Sequence, residues 1–284
     1  MIIIIESGST KSDWRLIKDS TVINNFTTIG YNPFFHNEDF IEDDLKQHSD
    51  ICKIAKEIKQ VYFYGAGCSS KNLKDIIHKG FSRIFINAVV EVDHDLVASA
   101  LSTYEGSPAI TCILGTGSNS CFFDGVNCLE EVPALGYVLG DEGSGSYFGK
   151  QLITAYLYNQ LPNNLLKDFN DTYNISKDEI LHSVYSKTNV NKYLASFAQF
   201  LAKYKNDKYV REMLVEGFCL FISKHVCCYK KYETITVNFV GSIAFYFQDS
   251  LFEACAKMDI QLGSIIQKPI DGLVRYIILN KKAI

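Results

Sequence analysis

The sequence lacks the short motifs that mark the best-known nucleotide and metal sites. It has no Gly-x-x-x-x-Gly-Lys-Ser/Thr loop, no Gly-x-Gly-x-x-Gly turn opening a helix, and no His-Glu-x-x-His helix. The six histidines are dispersed, and the nine cysteines show no metal-type spacing. These absences leave little support for a zinc site or a histidine-based catalytic triad.

Strong charge and long apolar runs are also missing. The formal net charge is −4 and no block of like charges stands out, so a nucleic-acid surface is not indicated. No apolar run approaches the ~18 residues that a membrane helix needs. The first residues enter a strand without a basic leader, and the cysteines are typical of buried positions in a reducing compartment. We therefore expect a cytoplasmic protein with no nucleic-acid or membrane partner.

What the sequence does contain is an internal repeat. The run Ile2–Ile5 is typical of a buried strand, and the polar turn Glu6–Lys11 follows it. After Pro108 the same order returns, because the apolar run Ala109–Leu114 precedes the turn Gly115–Ser120. A chain of 284 residues, 47% of them hydrophobic, can bury a sizeable core, and we expect it to hold two domains. The repeat supports that division.

Strands that alternate with helices predict an α/β fold with crossover connections. Beyond the first turn, the apolar runs Val61–Tyr64, Ile84–Ile86 and Thr234–Val240 predict strands, and Ile260–Leu262 predicts a short last strand. Asp93 is the expected N-cap of the helix that follows it.

The first turn has the chemistry of a phosphate site. Gly8 and its hydroxyl and amine neighbours can bring backbone N–H groups close to phosphate. Glu6 could hold Mg²⁺ on the phosphates, directly or through water. An ordinary β-hairpin opening explains the same residues.

Two further segments favour a nucleotide. The turn Gly115-Thr116-Gly117 offers backbone N–H groups and a hydroxyl that could bind the phosphates from the side opposite the first turn. The strand that ends before Gly241-Ser242 runs into a helix whose electropositive N-terminus suits a phosphate, and small residues there admit a flat ring. A plain hairpin turn and tight strand–helix packing are the competing explanations.

Four polar side chains could contact a small ligand. Asp95 lies in the first turn of a predicted helix, where the dipole favours the charged form that accepts a proton from a sugar hydroxyl. Asp141 could bind hydroxyls, and Asn32 and Asn119 each offer a donor and an acceptor. Stabilisation of a helix start explains Asp95 and Asp141 as well, and turn chemistry explains the two asparagines.

Together these segments resemble one known family. Their motifs are similar to those of the N-acetylglucosamine kinase-like branch of the BadF/BadG/BcrA/BcrD ATPase family, within the actin, sugar kinase and heat-shock ATPase superfamily. The likeness covers nearly the whole chain, and its most specific parts are Leu-Gly-Thr-Gly-Ser-Asn-Ser and Leu-Gly-Asp-Glu-Gly-Ser-Gly, in this order. The segments that carry it are Glu6–Lys11, Asp95, Leu114–Ser120, Leu139–Gly145 and Val237–Ala244.

The resemblance implies a fold and a reaction. The implied fold is α/β, with two ribonuclease H-like (actin-like ATPase) domains around a central cleft. The expected domains are residues 1–108, which the last helix (270–284) would join, and residues 109–269. The implied reaction is ATP-dependent phosphorylation of an amino sugar, with N-acetylglucosamine at its 6-hydroxyl as first choice and ATP and Mg²⁺ as cofactors. A homodimer would be common for such a clamp.

The resemblance also implies roles for individual residues. Asp95 would be the catalytic base, and Glu6 would face Mg²⁺. The residues expected to hold ATP are Gly8, Ser9, Thr10, Lys11, Gly115, Thr116, Gly117, Gly241 and Ser242. The residues expected to contact the amino sugar are Asn32, Asn119 and Asp141.

Two positions depart from the family pattern. Glu6 stands where the family has aspartate, and its extra methylene could displace Mg²⁺ or its water by about 1 Å. Ser242 stands where a second glycine is usual. Three alternatives stay open: a non-catalytic sugar or nucleotide sensor, a kinase for a related amino sugar, and a 2-hydroxyacyl-CoA dehydratase activator. The last would need cluster-binding cysteines, and no convincing pair lies at loop positions.

Overall fold

The chain folds into two compact units in the computed structural model, which describes residues 1–8 and 10–280. The first unit holds Met1–Gly106 and the segment from Lys268 onward, and the second holds Ser107–Gln267. Each unit contains one mixed five-stranded sheet together with helices. The α/β fold class predicted from the sequence is confirmed.

The first unit is organised around the isoleucine strand, β1. Its sheet has the order β3-β2-β1-β4-β5, in which β1 pairs antiparallel with β2 and parallel with β4. Ile3, Ile4 and Ile5 are fully buried because β1 is the central strand. The strands are β1 Ile2–Ser7, β2 Lys11–Lys18, β3 Thr21–Ile29, β4 Gln60–Gly65 and β5 Val89–His94.

An aromatic core packs between this sheet and its helices. The ring centroids of Trp14 and Phe81 lie 5.7 Å apart, and both side chains are fully buried.

The helices of the first unit are α1 Glu38–Gln47, α2 Ser49–Ile54, α3 Lys71–Ile84, α4 Asp95–Thr103 and α14 Ile270–Asn280. Helix α14 packs on α4 and contacts β1 and β2, and Asp271 at its start lies 2.8 Å from Arg15. The end of the described chain therefore belongs to the first unit.

The second unit repeats the topology of the first. Its sheet has the order β8-β7-β6-β9-β10, so β6 takes the place of β1 and is flanked in the same way. The strands are β6 Ala109–Leu114, β7 Ser118–Phe123, β8 Cys128–Leu129, β9 Val237–Val240 and β10 Leu262–Ile266. The repeat that the sequence indicates is therefore also a repeat of strand order.

Helices fill most of the remainder of the second unit. They are α5 Gly136–Leu139, α6 Gly145–Leu157, α7 Asn163–Tyr173, α8 Lys177–Tyr185, α9 Val190–Ser196, α10 Ala198–Lys203, α11 Lys208–His225, α12 Ser242–Tyr246 and α13 Gln248–Lys257. Phe148, Phe218 and Phe247 are packed in their core. Within residues 1–8 and 10–280, none of the helices combines the length and apolarity required to span a bilayer.

The strand expected at Ile84–Ile86 is wrong. Helix α3 continues to Ile84, and Phe85 follows it as the C-cap residue, fully buried against the aromatic core. The strand lies further on, at Val89–His94. The apolar run instead packs the end of a helix. The prediction failed because periodicity alone does not distinguish a short strand from a buried helix terminus.

Three element boundaries also differ from expectation. Asp93 does not cap α4: it lies in β5, its Oδ1 is 2.6 Å from Lys74 Nζ, and His94 is the N-cap residue. Strand β9 begins at Val237 rather than Thr234, because a 3₁₀ turn precedes it. The last strand is shifted to Leu262–Ile266, where it pairs parallel with β9.

Three parallel strands in each unit end at one edge of the sheet. In the first unit these strands are β1, β4 and β5, and in the second they are β6, β9 and β10. Glu6 and Asp95 lie at this edge in the first unit, and Gly115 and Gly241 lie at it in the second. The carboxyl ends of parallel strands are where open α/β sheets bind ligands.

Gly241, between β9 and α12, occupies a position that only glycine tolerates. Its φ is +125°, and a Cβ added there would lie 2.3 Å from the carbonyl oxygen of Leu114. The absence of a side chain lets the β9–α12 turn approach the end of β6.

We expect Gly241→Ala to lower the free energy of unfolding by about 2–4 kcal/mol, through backbone strain and the clash with Leu114. Urea unfolding followed by far-UV circular dichroism measures this. Gly115→Ala is the matched control, because a Cβ there meets nothing within 4 Å. Equal destabilisation by the two substitutions would contradict the steric explanation.

Candidate active site

Three carboxyl groups lie close together at the sheet edge of the first unit. Glu6 on β1 is directly opposite Asp13 on β2, so the two side chains share one face of the antiparallel pair. Asp95 enters from the start of α4. Burial, followed by repulsion from Asp95 and Asp13, raises the pKa of Glu6 from its usual 4.5 to about 8. Glu6 therefore favours its protonated form while no cation is nearby.

Two lysines offset part of this negative charge. Lys268 Nζ lies 2.9 Å from Asp13 Oδ2, and Lys11 Nζ lies 3.0 Å from Asp13 Oδ1. Burial alone would raise the pKa of Asp13, but the hydrogen bonds and positive charge of Lys268 and Lys11 hold it below its usual value. The sequence did not single out Asp13 or Lys268, and Lys268 lies 255 residues from Asp13 along the chain.

The carboxyl group of Asp95 is partly accessible and is supported by its neighbour. Its side chain is 25% exposed, and its Oδ1 lies 3.3 Å from His94 Nδ1. Because Asp95 is the first residue of α4, it also lies at the positive end of the helix dipole. The position predicted from the sequence is thus present, with His94 as a partner that the sequence did not indicate.

The first turn is held to the loop that follows β3. Ser7 Oγ accepts a hydrogen bond of 2.9 Å from the N–H of Tyr31, and Ser12 Oγ donates to Ser7 Oγ at 2.8 Å. Thr10 and Lys11 are exposed, and the N–H of Gly8 donates to the carbonyl of Lys11. Ser9 lies outside the described residues.

Asn32 directly follows this anchored loop. Its Oδ1 accepts the N–H of Phe34 at 2.9 Å, and a Cβ on Gly67 would lie 2.5 Å from the same oxygen. The side chain is buried, and within the described residues its Nδ2 has no hydrogen-bond acceptor. Asn32 therefore has a turn role through its oxygen and retains a donor for a ligand.

In the second unit, the turn after β6 lies against Asp141. A Cβ on Gly117 would lie 2.9 Å from Asp141 Oδ2, and the N–H of Ser118 donates to Asp141 Oδ1 at 3.2 Å. Burial raises the pKa of Asp141, and the hydrogen bond from Ser118 counteracts part of that rise. The glycine turn and the predicted sugar-binding carboxylate are therefore neighbours.

Asp141 and Glu142 do not cap the helix that follows them. Ser144 is the N-cap of α6, since its Oγ accepts the N–H of Tyr147. Asn119 bonds through both ends of its amide: its Oδ1 accepts from the N–H of Ser120, and its Nδ2 donates to Glu130. Both polar ends of Asn119 thus bond within the unit.

A cavity of about 490 Å³ in the second unit brings together three of the residues predicted to hold ATP, Gly115, Thr116 and Ser242. The other lining residues are Gly145, Ala195, Ser196, Ala198, Gln199, Ala202, Ile243, Tyr246 and Phe247. Three alanines of α9 and α10 contribute to one wall. Small side chains leave space for a flat group. The sequence contained no signal for this wall, because α9 and α10 are remote from every recognised motif.

The described residues contain no group of three or more His, Cys, Asp or Glu side chains placed to hold a metal ion. Magnesium commonly binds through one or two carboxylates together with substrate phosphates and waters. The carboxyl groups of Glu6, Asp13 and Asp95 have the oxygen chemistry that this ion prefers, and a cation there would favour ionisation of Glu6.

The raised pKa of Glu6 predicts a pH dependence of stability. The folded chain holds the Glu6 proton up to pH about 8, whereas the unfolded chain releases it near 4.5. Wild-type stability therefore falls across this window as pH rises, and Glu6→Gln removes that fall. Between pH 5 and pH 8 we expect Glu6→Gln to gain about 2 kcal/mol or more relative to wild type. Urea unfolding at both pH values measures it, with Glu57→Gln at an exposed position as control. Parallel stability curves would contradict the assignment.

Comparison with known proteins supports the same interpretation. No protein-family model matches the sequence, and no curated protein does. Among solved structures, the "putative N-acetylglucosamine kinase" of Porphyromonas gingivalis is 35% identical with a TM-score of 0.94, covering 99% of this chain and 100% of that one.

Two more distant structures show the same fold. The "putative N-acetylglucosamine kinase" of Chromobacterium violaceum is 14% identical with a TM-score of 0.68, covering 97% of this chain and 98% of that one. A ROK family glucokinase of Streptomyces griseus, solved with glucose and AMPPNP, is 13% identical with a TM-score of 0.56, and 99% of each chain is covered. With 35% identity across nearly all of both chains in the first comparison, this protein belongs to the N-acetylglucosamine kinase-like group of actin-like ATPases, a family of sugar kinases.

Proposed function

We propose that the protein is an ATP-dependent kinase that phosphorylates an amino sugar, with N-acetylglucosamine at its 6-hydroxyl as the substrate. The observation that carries the proposal is the cavity of about 490 Å³ lined by Gly115, Thr116 and Ser242. Three residues assigned to ATP from two motifs line it together, although Ser242 is more than a hundred residues from Gly115 and Thr116.

In the proposed reaction, Asp95 accepts the proton of the sugar hydroxyl, and the resulting oxygen attacks the γ-phosphorus while ADP leaves. Asp95 has the accessibility this needs, and His94 Nδ1 at 3.3 Å orients its carboxyl group. Phosphoryl transfer depends mainly on positioning and on neutralising charge. The exposed ammonium group of Lys11 would supply positive charge for the phosphates.

Mg²⁺, when bound with ATP, would neutralise phosphate charge. Glu6 would face it directly or through water, and Asp13 is a second oxygen donor beside Glu6. The lysines on Asp13 limit the build-up of negative charge in the cluster, which favours an ionised Glu6.

The choice of an amino sugar follows from the name of the Porphyromonas gingivalis protein and from the polar groups near the turns. Asp141 offers a buried carboxylate next to Gly117, and Asn32 offers an amide donor. A buried carboxylate and an amide suit sugar hydroxyls or an acetamido group. Asn119 supports this role least, because Ser120 and Glu130 already engage both of its polar ends.

The proposal predicts that Asp95→Asn lowers kcat at least about a hundredfold, because general-base catalysis is lost. The sugar dissociation constant should change less than about threefold, since an amide keeps the size of the side chain. A coupled ADP-release assay over a panel of amino sugars and calorimetric titration measure the two effects. Asp93→Asn is the matched control, because Asp93 is paired with Lys74. Full activity of Asp95→Asn would refute the assigned base.

The nucleotide cavity makes a separate prediction. Ala198→Leu adds volume to the alanine wall and should raise KM for ATP about tenfold, equivalent to about 1.4 kcal/mol of binding, with KM for the sugar unchanged. Initial rates with each substrate varied in turn measure this. Ala256→Leu, on an exposed face of α13, is the control. An unchanged KM for ATP would place the nucleotide elsewhere.

A non-catalytic sensor of sugar or nucleotide is the second candidate, and Glu6 is the observation that favours it. The family aspartate is replaced by a longer side chain with its pKa raised to about 8. A sensor would bind ATP and N-acetylglucosamine in calorimetry yet release no ADP with Mg²⁺ or Mn²⁺ present, whereas the kinase releases ADP.

A further inference from the structure

A buried histidine reaches the loop that carries Asp141. Glu142 Oε2 lies 3.5 Å from His225 Nε2, and the same oxygen lies close to Gly140 at the start of the loop. His225 belongs to α11, more than eighty residues further along the chain. Glu142 lies in the Leu139–Gly145 motif, whereas His225 lies outside every motif, and neither residue lines the cavity described above.

His225 is held by contacts to its ring and to its backbone carbonyl. Its ring stacks on Phe221 at a centroid distance of 4.9 Å and an angle of 14°, and its side chain is 7% exposed. Its backbone carbonyl accepts a hydrogen bond of 2.6 Å from Ser120 Oγ, which also meets the hydroxyl of Tyr229. The imidazole is therefore a fixed point that Glu142 can bind.

The hydrogen-bonding pattern also defines the form of the imidazole. His225 Nδ1 is buried and has no partner within the described residues, so a proton there would be unsatisfied. Burial lowers the pKa of His225, and Glu142 offsets part of that effect. In the neutral ring, a proton on Nε2 would face the Glu142 carboxylate at 3.5 Å, whereas a proton on Nδ1 would have no acceptor within the described residues.

The loop around Glu142 has a left-handed residue on either side of it. Asp141 has a φ of +57°, which is unfavourable for a residue with a side chain, and Gly143 has a φ of +68°. A Cβ on Gly143 would lie 3.0 Å from Phe221 Cβ, so the loop lies tightly against α11. Glu142, between these two residues, is well placed to hold both.

We propose that His225 is a positioning residue: through Glu142 it holds the left-handed turn that directs the Asp141 carboxylate at the amino sugar. The sugar-binding part of this inference rests on the proposed function, whereas the effect on the loop does not. An apolar side chain could fill the same volume without burying an unpartnered nitrogen. The imidazole therefore serves the contact with Glu142 rather than the packing of the core.

Hydrogen exchange of the protein alone tests the effect on the loop. His225→Leu keeps the volume and removes the donor, and it should speed exchange across residues 140–146 about tenfold or more. His225→Gln restores an N–H donor and should stay within about threefold of wild type. Tyr229→Phe is the matched control, since it removes a neighbouring contact of Ser120 and leaves the Glu142–His225 pair in place. Exchange in residues 140–146 that is unchanged in His225→Leu would overturn the proposal.

Calorimetry with N-acetylglucosamine tests the role of Asp141. His225→Leu should weaken sugar binding about tenfold, and in an Asp141→Asn background the same change should cost less than about twofold, because the effect passes through Asp141. Equal losses in both backgrounds would show a general structural role and contradict the inference. Glu142→Gln, at a partly exposed position, gives a second variant if His225→Leu does not fold.

The two proposals fail in different ways. If wild type binds and phosphorylates no amino sugar, the proposed function is wrong, and the exchange experiment still decides whether His225 holds the loop.

A ¹⁵N spectrum of the His225 imidazole adds an independent readout. The Nε2–H tautomer is expected, and the Nδ1–H tautomer would overturn the contact with Glu142.

Discussion

The candidate site in the second unit depends on two backbone hydrogen bonds between the β6–β7 turn and the start of α6. The N–H of Gly145 donates to the carbonyl of Gly115 at 2.8 Å, and the N–H of Ser146 donates to that of Thr116 at 3.0 Å. The first N–H groups of a helix have no partner within the helix, so this turn satisfies them. Each bond contributes only about 1 kcal/mol, but together they fix the turn, the helix start and Asp141 as one structure.

The first unit depends instead on unbalanced charge. Glu6, Asp13 and Asp95 converge where three parallel strands end, and Lys11 and Lys268, which both pair with Asp13, offset only part of their negative charge. The resulting rise in the pKa of Glu6 is typical of functional sites. At such sites the arrangement of charged groups that binding or catalysis requires lowers the stability of the folded chain. A cation would remove that cost, and this property makes the cluster suited to an ion that arrives with ATP.

The elements predicted best from the sequence are those that local physics determines. A run of isoleucines became the central strand β1, and Ala109–Leu114 became its counterpart β6, since a short wholly apolar segment is stable as a buried strand. Ile84–Ile86 was mistaken for a strand because burial at a helix end leaves the same apolar pattern. Asp93 was expected to cap a helix, but its carboxylate forms an ion pair with Lys74 on α3.

The sequence by itself determined the two-unit α/β architecture, the sugar-kinase family and the two glycine turns that we propose for the nucleotide. These follow from apolar periodicity, from glycine positions and from motifs read over a few neighbouring residues. Only the tertiary structure decided which distant side chains meet: Lys268 with Asp13, the alanines of α9 and α10 with Ser242, and His225 with Glu142. Such pairs depend on how helices pack on the sheet. Packing joins residues that leave no common signal along the chain.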